Sequence, residues 1–208
     1  SYERVNAVTI KNYPRLEITE NKANKKEVNQ PTAWYVGGLT PIRGVREMIL
    51  SCEKAGVKLL LAGPFDSEEY FKEIKQMPEW KNVEYLGYVE STQVKEKVYD
   101  RANLGLVLLH DAPNHRLAIP IKQLEYMSCA LPSVSSKEII FCKEVVEKEN
   151  CGIVVNPLNI DEVAKAIKTI IDNKDLAKQM SENALNAAQY RYNWQSQEAE
   201  LKTLYKNL

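Results

Sequence analysis

The chain has 208 residues, enough for one large domain or two small ones with a buried core. Its 28 Lys and Arg balance 28 Asp and Glu, so no overall basic field draws in nucleic acid or anionic lipid, and an anionic ligand must be held by local groups. Cys52, Cys129, Cys142 and Cys151 lack CxxC spacing and have only His110 and His115 to join them; they argue against a zinc site and for reduced thiols in a cytoplasmic setting, and no apolar run is long enough to span a bilayer.

Val5 to Ile10 alternates like a short strand and ends at the turn signal Asn12-Tyr13-Pro14. Ile18 to Thr32 is polar and linker-like. A lone strand before a linker is expected to be the tail of a domain outside this chain. From Thr32 the pattern becomes regular. AWYVGG is an apolar run ended by Gly37 and Gly38, and PIRGVREMILSCEKAG has helical spacing up to Gly56. VKLLLAG is continuously apolar and closes at Gly63, as a strand buried on both faces does. DSEEYFKEIKQM predicts a helix capped by Asp66 or Ser67, NVEYLGYV a strand containing Gly87, Tyr88 and Val89, and STQVKEKVYDRA a helix capped by Ser91. NLGLVLL is a further buried strand, followed by the polar loop HDAPNHRLAIP and a helix from Pro120. PSVSS and GIVVNP are short strands flanking a helix stopped by Gly152, and two or three amphipathic helices follow from Ile160. This alternation predicts an α/β fold with a parallel sheet flanked by helices. Ligands of such sheets bind at the carboxyl ends of the strands, where strand order reverses.

The loops at that edge carry the candidate site. Gly37 and Gly38 permit close backbone approach to a ligand, or simply make a turn. Arg43 suits a diphosphate clamp; read instead as a solvated arginine in the first helical turn, it opposes the helix dipole. Pro120 at the first helical position leaves the amides of Ile121, Lys122 and Gln123 unpaired, a ready anion site to which Lys122 adds a charge. The competing reading is a Lys122–Glu125 ion pair. Ile121, Leu124, Met127 and Leu131 form the core stripe, and Glu125 lies on its shoulder, half-buried and able to accept hydrogen bonds from vicinal hydroxyls. Tyr126 faces away and reads as packing. His115 and Arg116 are within reach of a sugar or are solvated loop residues. Trp34, Tyr35 and Trp80 read as ordinary core or surface aromatics.

Together YVGGLTPIRG, LLLAG, NVEYLGYV, YDRANLGLVLL, PIKQLEYMSCALPSV and GIVVNP, in that order from about Thr32 to Trp194, resemble the C-terminal, donor-binding domain of GT-B-fold retaining glycosyltransferases, the "glycosyl transferases group 1" family. The resemblance implies a Rossmann-like domain over residues 32–190, a remnant of the N-terminal domain and a linker over 1–31, and a C-terminal helix over 191–208 that returns toward the N-terminal half. It implies that Glu125 is the second glutamate of the family's Glu-x7-Glu element and holds a ribose. Gly37, Gly38 and Gly63 would line the nucleotide. Gly87, Tyr88 and Val89 would meet the base, largely through backbone, and Arg43 would replace the diphosphate-binding lysine. The amides near Ile119 to Lys122 would meet the phosphates, and His115, Ala118, Ile119 and Pro120 the sugar.

The departures are Leu117 in place of the first glutamate, Gly38 in place of an arginine, and Ala130 in place of a glycine. P-x-K-x-x-E-Y-M resembles the branch working on bacterial surface polysaccharides, capsule and O-antigen, often with amino-sugar donors; that branch also lacks the first glutamate. The implied activity is metal-independent transfer from a nucleotide diphosphate sugar, UDP favoured, with no cofactor. The acceptor would be a polysaccharide or lipid, gripped by an N-terminal domain missing here. Contact with the inner face of a membrane would belong to the full-length protein alone. A non-catalytic nucleotide-binding module and a nucleotide-sugar epimerase are the alternatives.

Overall fold

The computed structural model describes residues 8–15, 30–90, 92–94 and 99–206. Six parallel strands form one sheet: β1 (Thr32–Val36), β2 (Lys58–Ala62), β3 (Val83–Tyr85), β4 (Leu104–Val107), β5 (Ser133–Ser136) and β6 (Gly152–Val155). Their order is β3-β2-β1-β4-β5-β6. The helices are α1 (Val45–Ala55), α2 (Glu68–Lys75), α3 (Pro113–Arg116), α4 (Ile121–Ser128), α5 (Ile140–Glu149), α6 (Ile160–Asp172), α7 (Lys174–Tyr190) and α8 (Trp194–Lys206). This is the expected Rossmann-like parallel sheet flanked by helices, with further helices at the C-terminal end.

Side chains alternate across the sheet, as the pleat requires. Ala33, Tyr35, Leu59 and Leu61 point into one core with Met48, Ile49 and Ile74 of α1 and α2 and Ile167 and Ile170 of α6. Trp34, Val36, Leu60 and Ala62 point the other way, toward Tyr126 of α4 and Cys142 of α5. A third cluster joins Leu124 and Met127 of α4 to Ala184 and Ala187 of α7, and Tyr13 closes it from the segment before the linker. Trp194 donates its backbone N–H to Pro14 O at 2.9 Å, which fixes that segment against the start of α8.

Several local expectations are revised. Val5 to Ala7 of the strand predicted at Val5–Ile10, and residues 18–29 of the linker predicted at Ile18–Thr32, lie outside the described residues; Val8 to Ile10 are described and are not strand. The proposed cap Ser91 also lies outside them; of the helix predicted after it, Thr92 to Val94 are helical, and Tyr99–Arg101 is a 3-10 turn. Of the two candidate caps for α2, Ser67 serves, accepting the Tyr70 N–H. The third strand stops at Tyr85, so Gly87, Tyr88 and Val89 follow it instead of lying within it. Asn150, at φ 48°, caps α5, and Gly152 belongs to β6, where a Cβ would stand 2.1 Å from Ser133 O. Its glycine is demanded by strand packing and not by helix termination.

Gly105 in β4 has the opposite kind of neighbour. A Cβ there would meet the Tyr126 ring at 2.4 Å, and Tyr126 is fully buried with its hydroxyl bonded to Leu106 O at 2.9 Å, so the ring has nowhere to go. Gly105→Ala should therefore lower unfolding free energy by about 1–3 kcal/mol, through overpacking. Gly56→Ala is the comparison, since nothing lies within 4 Å of its Cβ position and only its φ of 69° is costly. Denaturant melts check this; a Gly105→Ala midpoint equal to wild type contradicts the packing account.

Candidate functional site

The strand order reverses between β1 and β4, since the chain moves outward to β2 and β3 before returning to β4. The loops leaving β1 and β4 therefore flank a crevice at the carboxyl edge, the expected place for a ligand. Three glycines line the β1–β3 part of this edge. Gly63 donates its N–H to Gly87 O at 2.7 Å, and Gly37 donates to Ala62 O at 3.0 Å. Gly63 has φ 125°, and a Cβ on it would stand 1.9 Å from Gly37 O. No other residue fits there. Gly38 is not under this constraint: a Cβ on it meets nothing nearer than Arg43 Cζ at 3.8 Å.

Arg43 ends a 3-10 turn, Pro41–Arg43, and Gly44 at φ 75° separates it from α1. It is thus not in the first turn of α1, and the dipole conflict inferred from sequence does not arise. What holds the turn is β4. A Cβ on Gly44 would stand 2.3 Å from Leu108 O, and His110 donates its N–H to Ile42 O at 2.9 Å. Arg43 Nη1 donates to the Tyr35 hydroxyl at 3.2 Å, and the guanidinium lies alongside Gly37 and Gly38. Burial raises the Tyr35 hydroxyl pKa despite Arg43, so Tyr35 stays a neutral acceptor. Sequence reading assigned Tyr35 to packing. It packs and also aims Arg43; the only signal was a polar-tipped aromatic two residues before the glycines.

On the β4 side, Pro120 is the N-cap of α4 and not its first helical residue. Gln123 donates its N–H to Pro120 O at 3.0 Å, so the anion-facing amides reduce from three to those of Ile121 and Lys122. The Gln123 side chain is buried against Ser133 and Ser135. Ile121 is 37% exposed and leaves the core stripe; Leu124, Met127 and Leu131 remain in it. Lys122 Nζ and Glu125 Oε2 form the ion pair, at 2.5 Å, with both side chains 27% exposed. Glu125 also accepts from the Tyr99 hydroxyl at 3.4 Å. Burial first, then Tyr35, Tyr99 and Glu125, hold the Tyr126 hydroxyl well above its ordinary pKa.

The intervening loop is better ordered by its own contacts than its polarity suggested. His115 Nδ1 lies 3.3 Å from His110 O, and His110 Nε2 lies 3.2 Å from Glu47 Oε2. Arg116 is engaged by Asp111 in two bonds, at 3.0 and 2.6 Å, and this holds Asp111 below the usual carboxylate range. Leu117 is 78% exposed. Ala118 and Ile119 are partly buried, and Ile119 packs on the third core cluster. Beyond β3, Tyr88 is 77% exposed and Val89 packs on the second cluster. Among the described residues, no group of three or more His, Cys, Asp or Glu is placed to hold a metal ion. The arrangement offers two cations, two helix amides, a side-chain-free glycine strip and one half-buried carboxylate: parts that hold an anion beside hydroxyl groups.

Residues 17–187 match the family described as "Glycosyl transferases group 1". An uncharacterized glycosyltransferase of Methanocaldococcus jannaschii is 26% identical over 177 residues, 83% of this chain and 44% of that protein. TarM of S. aureus, in a complex that includes UDP and alpha-GlcNAc-glycerol, superposes with TM-score 0.75 at 17% identity, covering 95% of this chain and 39% of TarM. The C-terminal domain of the group 1 protein LpcC from Francisella tularensis superposes with TM-score 0.68 at 14% identity, covering 87% of this chain and 95% of that domain. The structural likenesses establish the fold. The chain spans less than half the length of the first two proteins.

The anion site has a direct test. An anion site shared by Arg43, Lys122 and the first amides of α4 should bind inorganic pyrophosphate, and Arg43→Ala should weaken that binding by about tenfold, the loss of a charge-assisted contact. Calorimetric titration measures this; equal affinity in the variant removes Arg43 from the site.

Proposed function

The chain belongs to the glycosyl transferases group 1 family, and from that premise we propose that it is the donor-binding half of a retaining enzyme. The donor would be a nucleotide diphosphate sugar, UDP favoured and the sugar a hexose or N-acetylhexosamine. The acceptor would be a growing polysaccharide or lipid-linked glycan, held by a second domain. The bound UDP of TarM supports the choice of base. The observation that carries the reading is the Lys122–Glu125 pair in the first turns of α4, the helix that follows the loop after β4.

In this reading binding is an exchange of partners. The diphosphate takes Lys122 from Glu125 and adds Arg43 and the Ile121 and Lys122 amides. Glu125, released, accepts hydrogen bonds from the two ribose hydroxyls. A carboxylate suits this task because it only accepts, and vicinal hydroxyls present two donors at its own spacing. The Gly37–Gly63–Gly87 strip admits the nucleoside close to the backbone, with Tyr88 and Val89 beside the base. The sugar lies toward His115, Ala118 and Pro120. Leu117 offers it only an apolar contact, so His115 and Lys122 supply the polar ones.

As the glycosidic bond breaks, negative charge grows on the leaving diphosphate. Arg43, Lys122 and the helix amides are already aimed there and need no reorganisation, so they favour the transition state over the ground state. The charge is balanced by protein cations in this scheme, without a metal. Attack from the face that the leaving group vacates would give retention. Cytoplasmic work at the inner membrane surface fits such acceptors.

Two measurements test the reading. UDP should bind the chain at millimolar concentration or tighter by intrinsic tryptophan fluorescence; no response to UDP, GDP or ADP at that level removes the assignment. Glu125→Ala should weaken UDP by about tenfold or more, the worth of hydrogen bonds to a charged group. It should leave pyrophosphate unchanged or tighter, because Lys122 loses its internal partner. Separately, residues 1–208 alone should show no sugar transfer in a product assay, since in this reading a second domain holds the acceptor; robust transfer contradicts the half-enzyme reading.

A further inference from the structure

Glu125 does not stand with Lys122 alone. The Tyr99 hydroxyl donates to the same oxygen, Oε2, at 3.4 Å. Tyr99 lies in the 3-10 turn Tyr99–Arg101 shortly before β4, and it packs against the second core cluster. Its ring meets Trp34 edge-on, with centroids 4.5 Å apart at 83°. Trp34 in turn meets Tyr126 at 4.7 Å and 66°. Trp34 and Tyr126 are fully buried, so the Tyr99 ring is set by packing, and its hydroxyl emerges beside the half-buried carboxylate. Lys122, by contrast, is a flexible chain that can leave.

We propose that Tyr99 is a positioning residue: its hydroxyl fixes the Glu125 carboxylate for the two ribose hydroxyls once a bound diphosphate has drawn Lys122 away. This rests on the donor-binding reading above. Without a second donor, departure of Lys122 would leave a half-buried carboxylate free to rotate and short of partners. Binding would then lose in ordering and desolvation what it gained at the phosphate. Burial, followed by the charge of Glu125, pushes the Tyr99 hydroxyl well above its ordinary pKa, so it stays a donor throughout the neutral range. The role could not be found from spacing, since 26 residues separate Tyr99 from Glu125.

Tyr99→Phe removes the hydroxyl and keeps the ring on Trp34. Four titrations decide the matter: UDP and pyrophosphate, each against wild type and variant, repeated in a Glu125→Ala background. The expected result is UDP binding about three- to tenfold weaker, as for a hydrogen bond to a charged group, with pyrophosphate unchanged. In the Glu125→Ala background, which leaves no acceptor at that position, the loss on adding Tyr99→Phe should disappear. Equal weakening of UDP and pyrophosphate, or an undiminished loss in that background, overturns the assignment and makes Tyr99 a packing residue. A ligand-free measurement separates this from failure of the functional reading. The carboxyl carbon resonance of Glu125, assigned through Glu125→Gln, should move in Tyr99→Phe whether or not any nucleotide binds. An unmoved resonance overturns the contact itself; a moved resonance with no UDP binding to wild type keeps the contact and removes the ribose role.

Discussion

The carboxyl edge of the sheet is shaped by backbone touching backbone. At Gly63 a single methyl group would sit 1.9 Å from Gly37 O, inside any allowed contact. The same holds, less severely, where Gly44 rests on Leu108 O. These two contacts place the loops after β1, β2 and β4 relative to one another. Everything chemical at the edge inherits that placement. Arg43 is one residue before Gly44, and His110, two residues after Leu108, ties the Arg43 turn down through Ile42. A side chain at either glycine would separate strands that are hydrogen-bonded neighbours, so the constraint is on the fold and the site at once.

On this frame each of these charges has a partner. Arg43 rests on Tyr35 and Lys122 on Glu125. Neither cation is left bare in a partly buried crevice, where an unpaired charge would be costly. Each partner is a weak holder: a neutral phenol for Arg43, a solvent-touching carboxylate for Lys122. A partly exposed ion pair is worth at most about 1 kcal/mol, so either contact costs little to exchange. A fully buried pair would have been harder to exchange, because breaking it strands a charge.

The parts legible in the sequence were those whose signal is local. Continuous apolar runs such as LLLA and LGLV announced strands covered on both faces, and the sheet is parallel throughout. The shoulder position of Glu125 followed from helical geometry, and the side chain is half-buried as that geometry required. What failed depended on contacts far along the chain. Pro120 became a cap because the helix entered one residue later than its preferred position. Ile121 kept the period of the core stripe but lies beyond the end of the core, so it is exposed. Gly152 looked like a helix stop because such glycines usually are, whereas its real constraint is the carbonyl of Ser133 on the next strand. Tyr35 read as packing because its ring does pack, and Tyr99 carried no signal of its own; their hydroxyl partners lie eight and 26 residues away.

The division of labour within single side chains has a consequence for how this site is built. Tyr35, Tyr99 and Tyr126 bury their rings on the two sides of the sheet and spend their hydroxyls on different tasks: Arg43, Glu125 and the Leu106 carbonyl. The first two hydroxyls aim charged groups, and the third closes a β4 backbone group. A buried tyrosine is suited to this because two torsions fix its ring, so the hydroxyl is positioned at small entropic cost. The charged residues contribute little to the core: Arg43, Lys122 and Glu125 are all partly exposed. Stability therefore resides in rings and glycines, not in these charges. Substituting the charged residues should leave the fold intact, so that losses of binding at those positions report on the site and not on unfolding.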